Sequence, residues 1–114
     1  MTEQPEINIF KALDFIRDNS AAFAKAKAER VYLEEFRKTK KAMLMRLAEE
    51  EGAKSAATQE RDAYAHPEYV ELLQGLKAAV EAEETLRWMI VAAQAKVEVW
   101  RSLGANQRAQ DKVL

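Results

Sequence analysis

From residue 67 to about residue 112 an inward position recurs every third or fourth residue without losing step. The series is Leu72, Leu76, Ala79, Glu83, Leu86, Ile90, Ala93, Val97, Trp100 and Gly104. Only Glu83 and Gly104 are not apolar. Two such positions in every seven keep one face of a helix against a neighbouring helix along its length. Pro67 suits a first helical turn, where its missing N–H is not needed. The pattern predicts one long helix over about 67–112. Within it, residues 86–103 are apolar on a second side as well, through Trp88, Val91, Ala92, Ala95, Val99 and Leu103. A single amphipathic contact covers about a 100° face. This segment therefore calls for more than one partner.

Upstream, Ile9, Phe10, Leu13 and Ile16 stand at helical spacing and predict a short amphipathic helix over residues 5–18, ending near Asp18, Asn19 and Ser20. Ser20 is then the expected N-cap of a second helix over about 21–51, rich in Ala, Lys, Glu, Arg, Leu and Met. Its stripe is Phe23, Ala26, Leu33, Phe36, Met43 and Leu47, flanked by Tyr32 and Leu44 and interrupted by Lys40. Gly52 is the expected C-cap. Residues 54–66 read as a short helical linker with Ser55 at its N-cap. His66 before Pro67 marks the next boundary, since a residue preceding proline is pushed out of the helical region.

The expected fold is all-α: a single elongated helical domain over 1–114, built as an antiparallel hairpin of helices about 21–51 and 67–112. The short N-terminal helix folds onto one end. A helix of about 45 residues is roughly 65 Å long, against about 35 Å for a compact globule of this chain length. Too little chain remains to cover the doubly apolar segment, so self-association is expected. Its interface is assigned to Leu86, Trp88, Ile90, Ala93, Val97, Trp100 and Leu103.

Composition narrows the chemistry. The chain has 114 residues, room for one core rather than two. It has no cysteine, which removes disulfides and thiolate metal sites. No secretory signal or membrane-length apolar run is visible, so the expected location is the cytoplasm. One histidine, no Gly-rich phosphate cradle and no Glu-x-x-His pair leave little from which to build an active site. The expectation is a non-enzyme without cofactor or metal, in which His66 is a cap or turn residue.

The net charge of −1 hides segregation. Residues 25–46 carry eight basic side chains (Lys25, Lys27, Arg30, Arg37, Lys38, Lys40, Lys41, Arg46) against three acidic ones, and residues 48–84 carry ten acidic against three basic. Cations clustered on a helix can follow a phosphate backbone by releasing counterions, and Tyr32 and Phe36 among them can stack on unpaired bases. The competing reading is structural. In an antiparallel hairpin residues 25–46 run beside roughly 72–93, where Glu81, Glu83 and Glu84 can neutralise them. Glu83 itself reads either as a register-setting polar residue in the seam or as a partner of Arg87 one turn on.

The order of features resembles a known family. Tyr32-Leu33-Glu34-Glu35-Phe36 and Lys40-Lys41-Ala42-Met43-Leu44 lead through a polar linker with Lys54 and Arg61 to Tyr64. The last helix carries Glu84-Thr85-Leu86-Arg87-Trp88 and an Ala/Val/Trp-rich stretch, followed by Arg101, Ala105 and Arg108. From about residue 30 onward this resembles the small helical phage recombination mediators of the UvsY-like group. The resemblance implies an all-helical homo-oligomer, ring-like or larger, that binds single-stranded DNA. It also implies help in loading a recombinase onto strands covered by single-strand-binding protein. By position Lys54 and Arg61 match basic residues of the family's linker. A further lysine of the family is Gln59 here, beside acidic Glu60, which shifts weight to Arg37, Lys38, Lys40 and Lys41, with Arg46 a turn further on. The alternative expectation is a helical adaptor or structural protein whose seams serve only to dimerise or hold a partner helix.

Overall fold

The computed structural model describes residues 6–113. These form three helices and no strand: α1 (Ile9–Glu50), α2 (Ala56–Ala65) and α3 (Pro67–Val113). The expected all-α fold of two long helices around a short one is therefore present.

One boundary differs. No break separates a short N-terminal helix from a second helix at 21; α1 runs through Asp18, Asn19 and Ser20. The Asn19 amide donates to the Phe15 carbonyl at 2.8 Å and the Ser20 hydroxyl donates to the Ile16 carbonyl. Both bonds satisfy the side chains along the helix instead of across a cap. The N-cap lies at Asn8, whose Oδ1 accepts from the Lys11 N–H at 3.1 Å.

The other punctuation matches expectation. Gly52 takes φ +111°, and its N–H donates to the Glu49 carbonyl while the Ala53 N–H donates to the Ala48 carbonyl. This pair of bonds closes α1 as a Schellman motif that favours glycine. Ser55 caps α2 by accepting from the Thr58 N–H at 3.1 Å. His66 stands in extended conformation between α2 and α3. Its Nδ1 accepts from the Glu68 N–H at 3.0 Å, so the histidine caps the proline-led helix.

The chain packs as two units. In the unit Ala24–Glu83, α1 and α3 run antiparallel: Arg30 meets Glu83 while Lys40, further along α1, meets Glu68, earlier on α3. Leu44, Ala63 and Tyr69, one from each helix, form the buried cluster, with Met45 and Leu47 against it. The Tyr64 and Tyr69 rings meet edge to face at 5.2 Å. Leu44 points inward and Met43 outward, the reverse of their weights in the sequence-derived stripe. The inward line runs through Ala26, Arg30, Leu33, Lys40, Leu44 and Ala48. Lys40 is thus a member of the seam and not a gap in it.

In the unit formed by Met1–Phe23 and Glu84–Leu114, Ala12 of α1 and Ala93 of α3 are buried. A groove of about 620 Å³ runs along them, bordered by Phe15 and Met89 with Lys11 and Lys96 at its sides. Among the described residues, five of the seven buried apolar ones are alanines. Alanine lets helices approach closely but contributes little apolar area. Larger side chains, Trp88, Val99 and Leu103 among them, remain at the surface.

Candidate nucleic-acid interface

The structure divides the seven candidate DNA-contacting cations. Lys40 is only 19% exposed and pairs with Glu68 at 2.9 Å. Lys41 pairs with Glu60 at 3.2 Å and lies over the Tyr64 ring, 4.8 Å from its centroid. These two lysines tie α1 to α2 and to the first turn of α3. Their environment moves the proton equilibria accordingly. The Lys41 ammonium is held above its ordinary range by Tyr64 and then Glu60. The Glu68 carboxyl is held below the ordinary carboxylate range by hydrogen bonding to Lys40 and by that lysine's charge.

Lys38, Arg46 and Arg61 sit in the open. Each touches a carboxylate near in sequence: Glu35 at 3.5 Å, Glu50 at 3.6 Å and Asp62 at 3.2 Å. Exposed pairs of this kind are worth little and exchange readily for another anion. Arg37 and Lys54 are exposed and make no ion pair among the described residues. At 100° per residue Arg37 lies on the α3 side of α1 and Arg46 on the opposite side. The expected cations therefore do not form one basic stripe.

A different stripe is present on the outward side of α1. Lys25, Tyr32, Phe36, Met43 and Arg46 follow one helical line. Tyr32 is 61% exposed, and its ring stacks on that of Phe36 with centroids 5.8 Å apart and planes 8° from parallel. The aromatic pair was visible in the sequence; its flanking by Lys25 and Arg46 follows only once the inward face is known.

The acidic partners are also redistributed. Glu83 is 1% exposed and receives hydrogen bonds from the Arg30 guanidinium, which also binds both Glu34 oxygens at 3.0 Å. These carboxylates raise the Arg30 pKa, Glu83 most. Glu84 accepts from the Trp88 indole at 3.1 Å and pairs with Arg87 at 3.3 Å. The pairings of Glu60 with Lys41 and of Glu68 with Lys40 were not read from the sequence. The antiparallel register of α1 and α3 identifies Glu68, and the packing of α2 on α1 identifies Glu60.

The residues assigned to an oligomer interface also separate. Ala93 is buried against its own chain, and Leu86, Ile90 and Val97 are half-buried on the same side. Trp88 faces away from α1, in line with Ala95 and Val99, and is 64% exposed; Leu103 is exposed as well. Trp100 is also exposed.

Among the described residues no group of three or more His, Cys, Asp or Glu gathers to hold a metal ion. No described helix is long and apolar enough to cross a membrane. Compared with protein-family models, with curated proteins and with solved structures, the chain shows no match.

Proposed function

We propose that this chain is a non-enzymatic accessory of DNA recombination that binds single-stranded DNA along the outward stripe of α1. The observation that carries the reading is the exposed Tyr32 ring stacked on Phe36, with Lys25 and Arg46 on the same helical line. Single-strand binding without sequence preference needs such parts: aromatic faces for bases and cations for the backbone between them. Lys38 adds a cation elsewhere on α1, and Lys54 and Arg61 add cations on the linker and α2. The recombination role itself, including the partnership with a recombinase or single-strand-binding protein, rests on the UvsY-like resemblance. An oligomer would repeat the stripe and hold a strand extended for the recombinase.

Titration of a fluorescent oligothymidylate tests this. Binding should weaken steeply between low and physiological salt, because phosphate contacts release counterions. Tyr32→Ala should lower affinity on the order of tenfold, as loss of one stacked base does. Absence of binding at low salt would overturn the reading.

A second reading, a helical adaptor or scaffold that works through self-association, is favoured by the exposed α3 line of Trp88, Ala95 and Val99, with Val91 beside it. The hydrogen bond from Trp88 to Glu84 holds that indole in one orientation while it remains exposed. A preordered aromatic of this kind is a typical interface anchor. Trp88→Glu should leave helix content unchanged and lower the mass measured by light scattering. A wild-type chain that is monomeric at micromolar concentration would remove this reading.

A further inference from the structure

α3 outruns the helix it packs on. Lys11, Ala12 and Phe15 stand beside Met89, Ala93 and Lys96, and α1 begins at Ile9. From residue 98 to residue 113 every residue except Gly104 is exposed, and the hollow along this stretch is lined by α3 residues. The inward line nevertheless continues. Trp100, Gly104 and Arg108 follow at intervals of four, one turn above another, on the side where Ala93 and Val97 meet α1. With Glu98, Arg101 and Ala105 they border an open hollow of about 520 Å³. Trp100 is 48% exposed. Arg108 reaches back a full turn, so that its Nη1 lies 3.5 Å from where a Cβ on Gly104 would stand.

This line complements itself under a two-fold rotation. Two such helices crossing antiparallel at Gly104 place Trp100 of each opposite Arg108 of the other. Guanidinium then covers indole twice over, a favourable cation–π arrangement. The glycine at the crossing lets the backbones approach. A parallel pairing would instead set Arg108 against Arg108. Closed two-fold contacts require this reciprocity, residue i touching j and j touching i.

We propose that residues 98–113 pair antiparallel with the same segment of a second copy of this chain, Trp100 against Arg108 about Gly104. The second copy occupies the side of α3 that α1 leaves open. The inference rests on the self-association reading and is independent of DNA binding.

Because the chain has no cysteine, single substitutions report the geometry directly. A disulfide needs Cα atoms within about 7 Å. In the proposed pair the two Trp100 positions lie about 12 Å apart along the axis. Under mild oxidation an equimolar mixture of Trp100→Cys and Arg108→Cys chains should give a crosslinked dimer, while Trp100→Cys alone should not. Gly104→Cys should crosslink to itself; its Cβ meets only the Arg108 tip at ordinary contact distance, so the single chain tolerates it. Arg108→Glu should weaken the wild-type dimer on the order of tenfold in sedimentation. Crosslinking by Trp100→Cys alone would mean parallel pairing and overturn the proposal. An associated wild type whose cysteine variants, mixed or alone, never crosslink would place the contact elsewhere, overturning the proposal but sparing the wider reading. A monomeric wild type would overturn both.

Discussion

Arg30 of α1 donates to the buried Glu83 carboxylate of α3, with Nη2 3.2 Å from Oε1, and fixes which turn of one helix faces which turn of the other. Glu83 is the one inward position between residues 72 and 97 that is not apolar. The enclosed carboxylate is paired with the guanidinium, which also holds Glu34 through its Nη1. Slipping the register by a turn would strand it.

The pair therefore makes a mutational prediction. Arg30→Met takes the guanidinium away from the buried Glu83 carboxylate, and the melting midpoint should fall by at least about 10 °C. Adding Glu83→Leu to that variant replaces the network with apolar contact and should recover most of the loss. Circular dichroism melts decide the matter. A single variant that melts with the wild type would show that Glu83 does not depend on Arg30.

Glu68 predicts a pH dependence. Its folded pKa lies below the ordinary value of 4.5 because of Lys40, so the folded state binds this proton less readily than the unfolded chain. The stabilisation is fully present above about pH 4.5 and is lost as pH falls through the lower folded value. Wild type should out-melt Glu68→Gln at pH 7, and the gap should close on acidification below pH 4.5. A gap that widens in acid would contradict this sign. Lys41 gives the mirror case: its folded pKa is raised, so its contribution is complete below pH 10.5 and fades as pH rises through the folded value.

Ala63 is fully buried where the three helices of its unit meet. Ala63→Leu must displace Leu44 or Tyr69, and overpacking of this kind costs about 1–3 kcal/mol. Urea denaturation should show a lower midpoint with an unchanged slope. The same exchange at exposed Ala57 should have little effect, which separates packing from helix propensity.

For DNA binding, the two classes of cation predict different phenotypes. Lys40→Gln removes a seam contact, so it should lower the melting midpoint and leave the salt dependence of DNA binding unchanged. Lys25→Gln and Arg46→Gln should leave the melt alone, weaken binding, and each reduce the salt slope by about one. Fluorescence anisotropy across a salt series measures this. Loss of slope in Lys40→Gln instead would return the site to the inward side of α1.

Much of this architecture was legible in residue order. The long last helix, the stops at Gly52 and His66-Pro67 and the Ser55 cap each follow from local chemistry, in spacing, φ preference or a hydroxyl near free amides. The break at Asp18-Asn19-Ser20 was the local expectation that failed, because those side chains also find partners along a continuous helix. Which of Met43 and Leu44 turns inward was beyond local reasoning; the contact with Ala63 and Tyr69 selects Leu44.

By itself the sequence determined that two long helices and a short one would form, and where the chain would turn. Helical period, caps and proline act over a few residues and need no distant contact. Tertiary structure decided which charges are spoken for. Lys40, Lys41 and Arg30 look like Lys38 and Arg46 in a one-dimensional reading, yet the packing of α2 and α3 on α1 sets the first three against Glu68, Glu60 and Glu83 and leaves the other two in the open. It also decided which aromatic rings face outward, because the register that buries Leu44 and Ala93 turns Tyr32 and Trp88 to the surface. Charge and aromatic availability depend on residues far apart in the chain, and only packing brings those together.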